Sequence, residues 1–102
     1  MGVRLIRLAG PLTLNTVFDF QQLSRTDAAE SVILDLSGVP YADSAGLGAL
    51  IGLMASCQRH GKGFGVTGTT DRVRTLFRLT RIEGLVRAFA TVDEAVKAFQ
   101  GS

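Results

Sequence analysis

The chain has 102 residues, of which 46% are hydrophobic and 20% are charged. This length and composition suit one folded domain, and they exclude both a two-domain protein and a disordered one. With a net charge of +2, a longest apolar run of residues 45–55 and no signal-peptide pattern, we expect a cytoplasmic protein without membrane insertion.

Strand-like and helix-like patterns alternate along the chain. Strands are predicted over residues 3–9, 31–36, 63–68 and 86–90, and helices over residues 15–24, 44–60, 70–79 and 91–100. The second strand, "SVILDL", is almost entirely apolar, which is typical of a strand covered on both faces. The pattern predicts an α/β fold: one domain over residues 1–102, with a central, mostly parallel or mixed sheet of about four strands flanked by about four helices.

The predicted helix that begins at Ser44 has two contrasting faces. At about 100° per residue, one arc should pack on the sheet and collects Leu47, Leu50, Ile51, Met54 and Cys57. The opposite arc is small and uncharged, and collects Ala45, Gly48, Ala49, Gly52 and Ser56. Glycine costs up to about 1 kcal/mol in an exposed helix interior. Either a partner docks closely on this arc, or another part of the same domain packs there.

Ser44 itself has two interpretations. Its hydroxyl can be the N-cap, accepting a bond from an amide of the first turn. Alternatively, the helix N-terminus favours an anion, so that a phosphate on Ser44 would add a charge of about −1.5 to −2 beside Asp43. That charge would make a switch at the edge of an uncharged face. The chain has no phosphoryl-transfer apparatus of its own, so the switch would need a partner kinase.

Enzyme chemistry finds little support in the sequence. "ADSAG" is a loose variant of the nucleophile-elbow motif, but His60, the only histidine, would lie about 24 Å from Ser44 along the same helix. His60 is better explained as a residue at the helix C-terminus, followed by Gly61 as the cap. Cys57 is the only cysteine, which excludes an internal disulfide and a cysteine metal cluster. We expect no enzyme activity, no metal and no cofactor.

Two further patterns suggest ligands only weakly. Gly63, Gly65 and Gly68 spell G-x-G-x-x-G, but inside a predicted strand and its exit, so we interpret the match as coincidence rather than a nucleotide site. The second half of the chain holds eight Lys and Arg against four acids, including Arg72, Arg74, Arg78 and Arg81. A nucleic-acid patch is one reading, but without interleaved exposed aromatic residues we favour a solvated helix face and expect no direct nucleic-acid binding.

Three long stretches resemble the STAS domain family, and within it the stand-alone anti-sigma factor antagonists. They are "VILDLSGVPYADSAGLGALIGL", "GKGFGVTGTTDRVRTLFRLTRIEGLV" and "FATVDEAVKAF". The resemblance implies a small α/β domain that binds an anti-sigma factor with serine kinase activity and thereby releases a sigma factor. It also implies that the kinase inactivates the domain by phosphorylating Ser44, and that a PP2C-type phosphatase restores it. Asp43 and Gly46 match the flanking motif, which adds them to the expected partner-binding residues.

Thr13 departs from the family pattern. Many relatives carry an acidic residue in this loop after the first strand, so the fine geometry of the kinase or phosphatase contact is open. A second function also stays open, because STAS subunits of lipid-transport ABC systems carry a similar motif. Such a subunit would bind an ATPase subunit through the same helix, without phosphorylation.

Overall fold

The computed structural model of the protein describes residues 2–23 and 29–100, and over them four strands alternate with four helices. The strands are β1 (Val3–Ala9), β2 (Ser31–Gly38), β3 (Gly63–Thr67) and β4 (Ala88–Phe89). The helices are α1 (Val17–Leu23), α2 (Ser44–Arg59), α3 (Asp71–Leu79) and α4 (Val92–Gln100). The predicted α/β fold is confirmed. Ser24, at the end of the predicted first helix, lies outside the described residues.

The sheet has the order β1-β2-β3-β4, and each neighbouring pair is parallel. β2 is central, and its apolar run is fully buried, since Val32, Ile33 and Leu34 have no exposed area. This is the environment that the almost entirely apolar, β-branched start of β2 predicts. Because all four strands are parallel, their C-terminal ends lie along one edge of the sheet.

Helices cover both faces of the sheet. On one face, alternate β2 residues such as Leu34 join a core cluster that includes Leu50 of α2 and Phe77 of α3. The other face is covered by α4, which contacts β2 and β3 and buries Ala95. Within residues 2–23 and 29–100, no helix is both long and apolar enough to cross a bilayer.

The glycines of the G-x-G-x-x-G stretch make room for neighbouring groups. A Cβ on Gly63 would lie 2.6 Å from the Phe99 ring of α4, and one on Gly65 would lie 2.8 Å from the Phe89 ring. Gly68 has a φ of +71°, with Ser37 and Asp35 beside it. Packing and backbone conformation thus account for all three glycines without a nucleotide.

Candidate functional site

Asp43, not Ser44, is the N-cap of α2. The backbone N–H of Gly46 donates to Asp43 Oδ1 over 2.8 Å, and the helix begins at Ser44. The interpretation of Ser44 as the N-cap is therefore wrong. Aspartate and serine cap helices about equally well, and here the aspartate one residue earlier supplies the acceptor.

The Asp43 carboxylate also holds the loop that follows β1. The backbone N–H of Leu14 donates to Asp43 Oδ2 over 3.0 Å, and Leu12 forms a parallel bridge with Ala42. The N–H groups of Gly46 and then Leu14 lower the pKa of Asp43, because they stabilise its ionised form. Thr13 lies between the two anchored leucines, so this loop position is adjacent to the start of α2.

Ser44 is the first residue of α2 and is exposed. No group of residues 2–23 or 29–100 forms a hydrogen bond with its hydroxyl, since the capping bonds belong to Asp43. His60 is the C-cap at the other end of the helix, and its Nδ1 contacts the Ser56 carbonyl at 2.8 Å. The structure thus keeps serine and histidine at opposite ends of α2, too far apart for a Ser–His pair within one chain.

The outer face of α2 is the predicted uncharged arc: Ala45, Gly48, Ala49, Gly52 and Ser56. Gly48 and Gly52 are exposed, and a Cβ built on either would meet no described atom within 4 Å. Ala45, Ala49 and Ser56 are half-buried. Packing within the described part of the domain therefore gives no reason for glycine at positions 48 and 52.

Gly46 does not belong to this exposed set, although we expected it among the partner-binding residues. It is buried, and a Cβ there would lie 2.0 Å from the Leu12 carbonyl oxygen. Gly46 allows the first turn of α2 to rest directly on the backbone of the loop after β1. Close packing on this loop thus accounts for glycine at position 46.

Exposed apolar side chains occur near the start of α2 and on α1, which contacts α2, and the helical pattern alone missed them. Leu14 is 70% exposed beside Asp43, Phe18 of α1 is 65% exposed, and Tyr41 is 42% exposed three residues before Ser44. The guanidinium of Arg72 lies 5.3 Å from the centre of the Tyr41 ring, in cation–π geometry. The signal that could have found them is the presence of large apolar residues where only a polar loop is needed.

The arginines of α3 have local contacts that fit a solvated face. Arg74 donates to Asp71 Oδ1 over 3.2 Å and to the Thr69 carbonyl over 3.1 Å. Arg78 lies 3.8 Å from a carboxylate oxygen of Glu83. Arg72, which contacts Tyr41, and Arg74 and Arg78 thus each take part in a local contact.

The chain belongs to the STAS domain family, because the family model matches residues 1–95. It is similar to the anti-sigma-B factor antagonist of Staphylococcus aureus, with 27% identity over 84 residues that cover 79% of this chain and 78% of the relative. Among solved structures, it is similar to a putative anti-sigma factor antagonist from Thermotoga maritima, with a TM-score of 0.89 at 20% identity over 96% of this chain and 87% of that one.

A sulfate transporter family protein from Wolinella succinogenes has the same fold. Its TM-score is 0.83 at 25% identity, covering 98% of this chain and 86% of that chain. The fold therefore occurs both in sigma-factor regulators and in a transporter family, and a choice between these classes must come from the site.

Proposed function

We propose that this protein is a cytoplasmic anti-sigma factor antagonist, which in its unphosphorylated form binds an anti-sigma factor with serine kinase activity. Phosphorylation of Ser44 switches it off, and a PP2C-type phosphatase restores it. The protein acts by binding and carries out no chemistry, and it needs neither nucleic acid nor membrane insertion. The names of its relatives support the partner class.

The observation that carries the proposal is the Ser44 hydroxyl, which is exposed at the edge of an uncharged helix face and forms no hydrogen bond with the described residues. A kinase can reach such a hydroxyl without unfolding the cap, because Asp43 holds the first turn by itself. The free N–H groups of the first turn and the helix dipole tolerate the new phosphate. A partner that covers the outer face of α2 would have to desolvate about two negative charges next to Asp43. Binding is lost while the fold remains.

The test is isothermal titration calorimetry with an anti-sigma factor kinase from the same organism. We expect Ser44→Asp to weaken binding at least about tenfold, and the uncharged variant Ser44→Asn to weaken it much less. Both variants should melt within a few degrees of the wild type, because the Ser44 side chain makes no contact that folding requires. Equal affinities of the Asp and Asn variants would refute a charge switch.

A second pair of variants tests the interface. Gly52→Lys places a long charged side chain in the centre of the outer face of α2 and should abolish binding, whereas Gly52→Ala should retain most of it. Unchanged binding by Gly52→Lys would move the interface elsewhere on the domain.

The fold match to a sulfate transporter family protein favours one alternative, a STAS subunit that docks permanently on a transport component through the same helix face. In that case Gly52→Lys would still abolish partner binding, but Ser44 would carry no phosphate in cells. Mass spectrometry of the peptide containing Ser44, from protein purified from its own cells, separates the two.

A further inference from the structure

The C-terminus of α3 contains an arginine where helix-capping rules favour glycine. Arg81 has a φ of +62° and is the only non-glycine residue with positive φ among residues 2–23 and 29–100. The Ile82 N–H donates to the Phe77 carbonyl over 3.0 Å, and the Arg81 N–H donates to the Arg78 carbonyl over 3.1 Å. These two bonds define a Schellman motif with Arg81 at its left-handed position.

The same motif ends α2, with the expected residue. There the left-handed position is Gly61, with a φ of +68°, and Lys62 N–H donates to the Cys57 carbonyl over 2.8 Å. A left-handed conformation is unfavourable for a residue with a Cβ but costs glycine nothing in steric terms. At α3 the chain therefore gives up stability to keep an arginine, and residues held in unfavourable conformations concentrate at functional sites.

The side chain of Arg81, unlike its backbone N–H, makes no contact that supports the fold within the described residues. Its side chain is exposed and forms no ion pair, hydrogen bond or ring contact with the described residues. The neighbouring Arg78, by contrast, pairs with Glu83. A guanidinium group left in this way has all of its N–H donors available for a carboxylate from outside the molecule.

Two of the most exposed leucines of the chain flank this arginine. Leu79 is 75% exposed at the end of α3, and Leu85 is 67% exposed in the turn that follows. That turn is anchored by Ile82, which is buried and whose carbonyl accepts the Leu85 N–H over 2.9 Å. Leu79 thus ends α3, and Arg81 and Leu85 belong to the hydrogen-bonded turn that follows it.

We propose that an acidic amphipathic helix of a partner protein binds at Leu79, Arg81 and Leu85, which we call the Arg81 surface. Carboxylates of the partner helix pair with Arg81, and its leucine-like side chains cover Leu79 and Leu85. The charge of this segment sets the sign of the partner, because residues 71–87 hold five arginines against Asp71 and Glu83. Of these arginines, Arg81 is the one whose side chain makes no contact with the described residues. Aliphatic rather than aromatic side chains beside the arginine fit a protein better than stacked bases.

The Arg81 surface is separate from the outer face of α2. α3 begins beyond the C-terminal end of β3, and its nine residues run back for about 13 Å toward the opposite edge of the sheet. Ser44 lies at the edge where α2 begins. A partner at the Arg81 surface therefore leaves Ser44 accessible, and the inference does not depend on the Ser44 switch.

The experiment uses a synthetic 18-residue helical peptide with leucine on one face and glutamate on the other, labelled for fluorescence anisotropy. We expect Arg81→Gly to weaken peptide binding about tenfold, the loss expected for one hydrogen-bonded charge. Its melting temperature should stay level or rise, by up to about 8 °C. Arg59→Gln, which removes another exposed arginine, should bind as the wild type does. A fall in melting temperature for Arg81→Gly would show that Arg81 serves the fold and would overturn the proposal.

The leucines are tested with Leu79→Ser and Leu85→Ser. Each variant should also weaken peptide binding, without loss of protein stability. Leu14→Ser is the matched control, because Leu14 is 70% exposed but lies beside Asp43. If Leu14→Ser weakens binding instead, the peptide binds near α2 and the proposal fails. A second peptide, in which glutamine replaces every glutamate, tests the charge, and the proposal also fails if this peptide binds equally well. It fails too if anionic phosphatidylglycerol vesicles or a DNA duplex bind the Arg81 surface while the acidic peptide does not.

Discussion

At the scale of single residues, Asp43 caps α2, a task that Ser44 could also have performed. Asp43 caps α2 and holds Leu14, and both of its carboxylate oxygens accept backbone N–H groups. Ser44 is left with an exposed hydroxyl that has no structural duty. A modification of the Ser44 hydroxyl would therefore leave both hydrogen bonds to Asp43 in place.

The pH dependence of stability can show how much Asp43 contributes. Its pKa is lowered in the folded state by the Gly46 and Leu14 N–H groups, so its contribution is present above the unfolded pKa of about 3.9 and is lost as pH falls through the lower folded value. We expect Asp43→Asn to be less stable at pH 7, with the difference from the wild type shrinking below about pH 4. Urea unfolding at pH 7 and pH 3 measures it.

A second carboxylate, that of Asp35, also has a lowered pKa, and its titration contributes to the pH dependence of both proteins. The pKa of Asp35 is lowered mainly by the Ser37 N–H, while burial opposes that shift. Asp35 is present in both proteins, so the difference between them isolates Asp43. A difference that stays constant from pH 7 to pH 3 would mean that the Asp43 carboxylate gains nothing from being charged.

At the scale of elements, the hydrophobic patterns predicted all the helices and strands, and the errors have physical causes. β4 is limited to Ala88–Phe89 because Val86, in the predicted strand, instead donates its N–H to Ile82 and ends a turn. Leu53 is buried outside the predicted arc of α2, and it joins the core cluster formed by residues from several elements. Such contacts join distant parts of the chain, and local periodicity cannot show them.

The two kinds of glycine in α2 should respond oppositely to alanine. Gly48→Ala should stabilise the protein by about 0.5 to 1 kcal/mol, because the site is open and alanine favours the helix. Gly46→Ala should destabilise it by about 1 to 3 kcal/mol, since its Cβ would collide with the Leu12 backbone. Chemical denaturation of both variants checks this. A stabilised Gly46→Ala would show that the loop after β1 can move away.

At the scale of the whole molecule, the core depends on contacts between α2 and the sheet. Leu50 is 1% exposed and packs in the main cluster, so Leu50→Ala should cost about 2 to 5 kcal/mol of unfolding free energy. Leu79→Ala is the matched control, and at 75% exposure it should change stability by less than about 0.5 kcal/mol. Equal losses for the two variants in urea would mean that the orientation of α2 on the sheet is wrong.

Helical spacing predicted the exposed, uncharged arc of α2, and it missed the apolar side chains nearby. The roles of that arc in partner binding and of Ser44 as a phosphate acceptor stay predictions. Gly46 was misassigned because its neighbour, Leu12, is 34 positions away in sequence. The Arg81 surface could not be predicted, since nothing in the pattern "LTRIEGL" indicates that the arginine has a left-handed backbone conformation.

The order of the strands has a consequence for amide hydrogen exchange. β2 is paired on both sides and covered on both faces, so its amides should exchange only when the whole domain unfolds. β4 is a two-residue strand at the edge, and it can open alone. Because the turn with Arg81 and Leu85 leads directly into β4, a partner on that turn would slow the local opening of β4 and protect its amides. A partner on α2 would leave those amides unprotected.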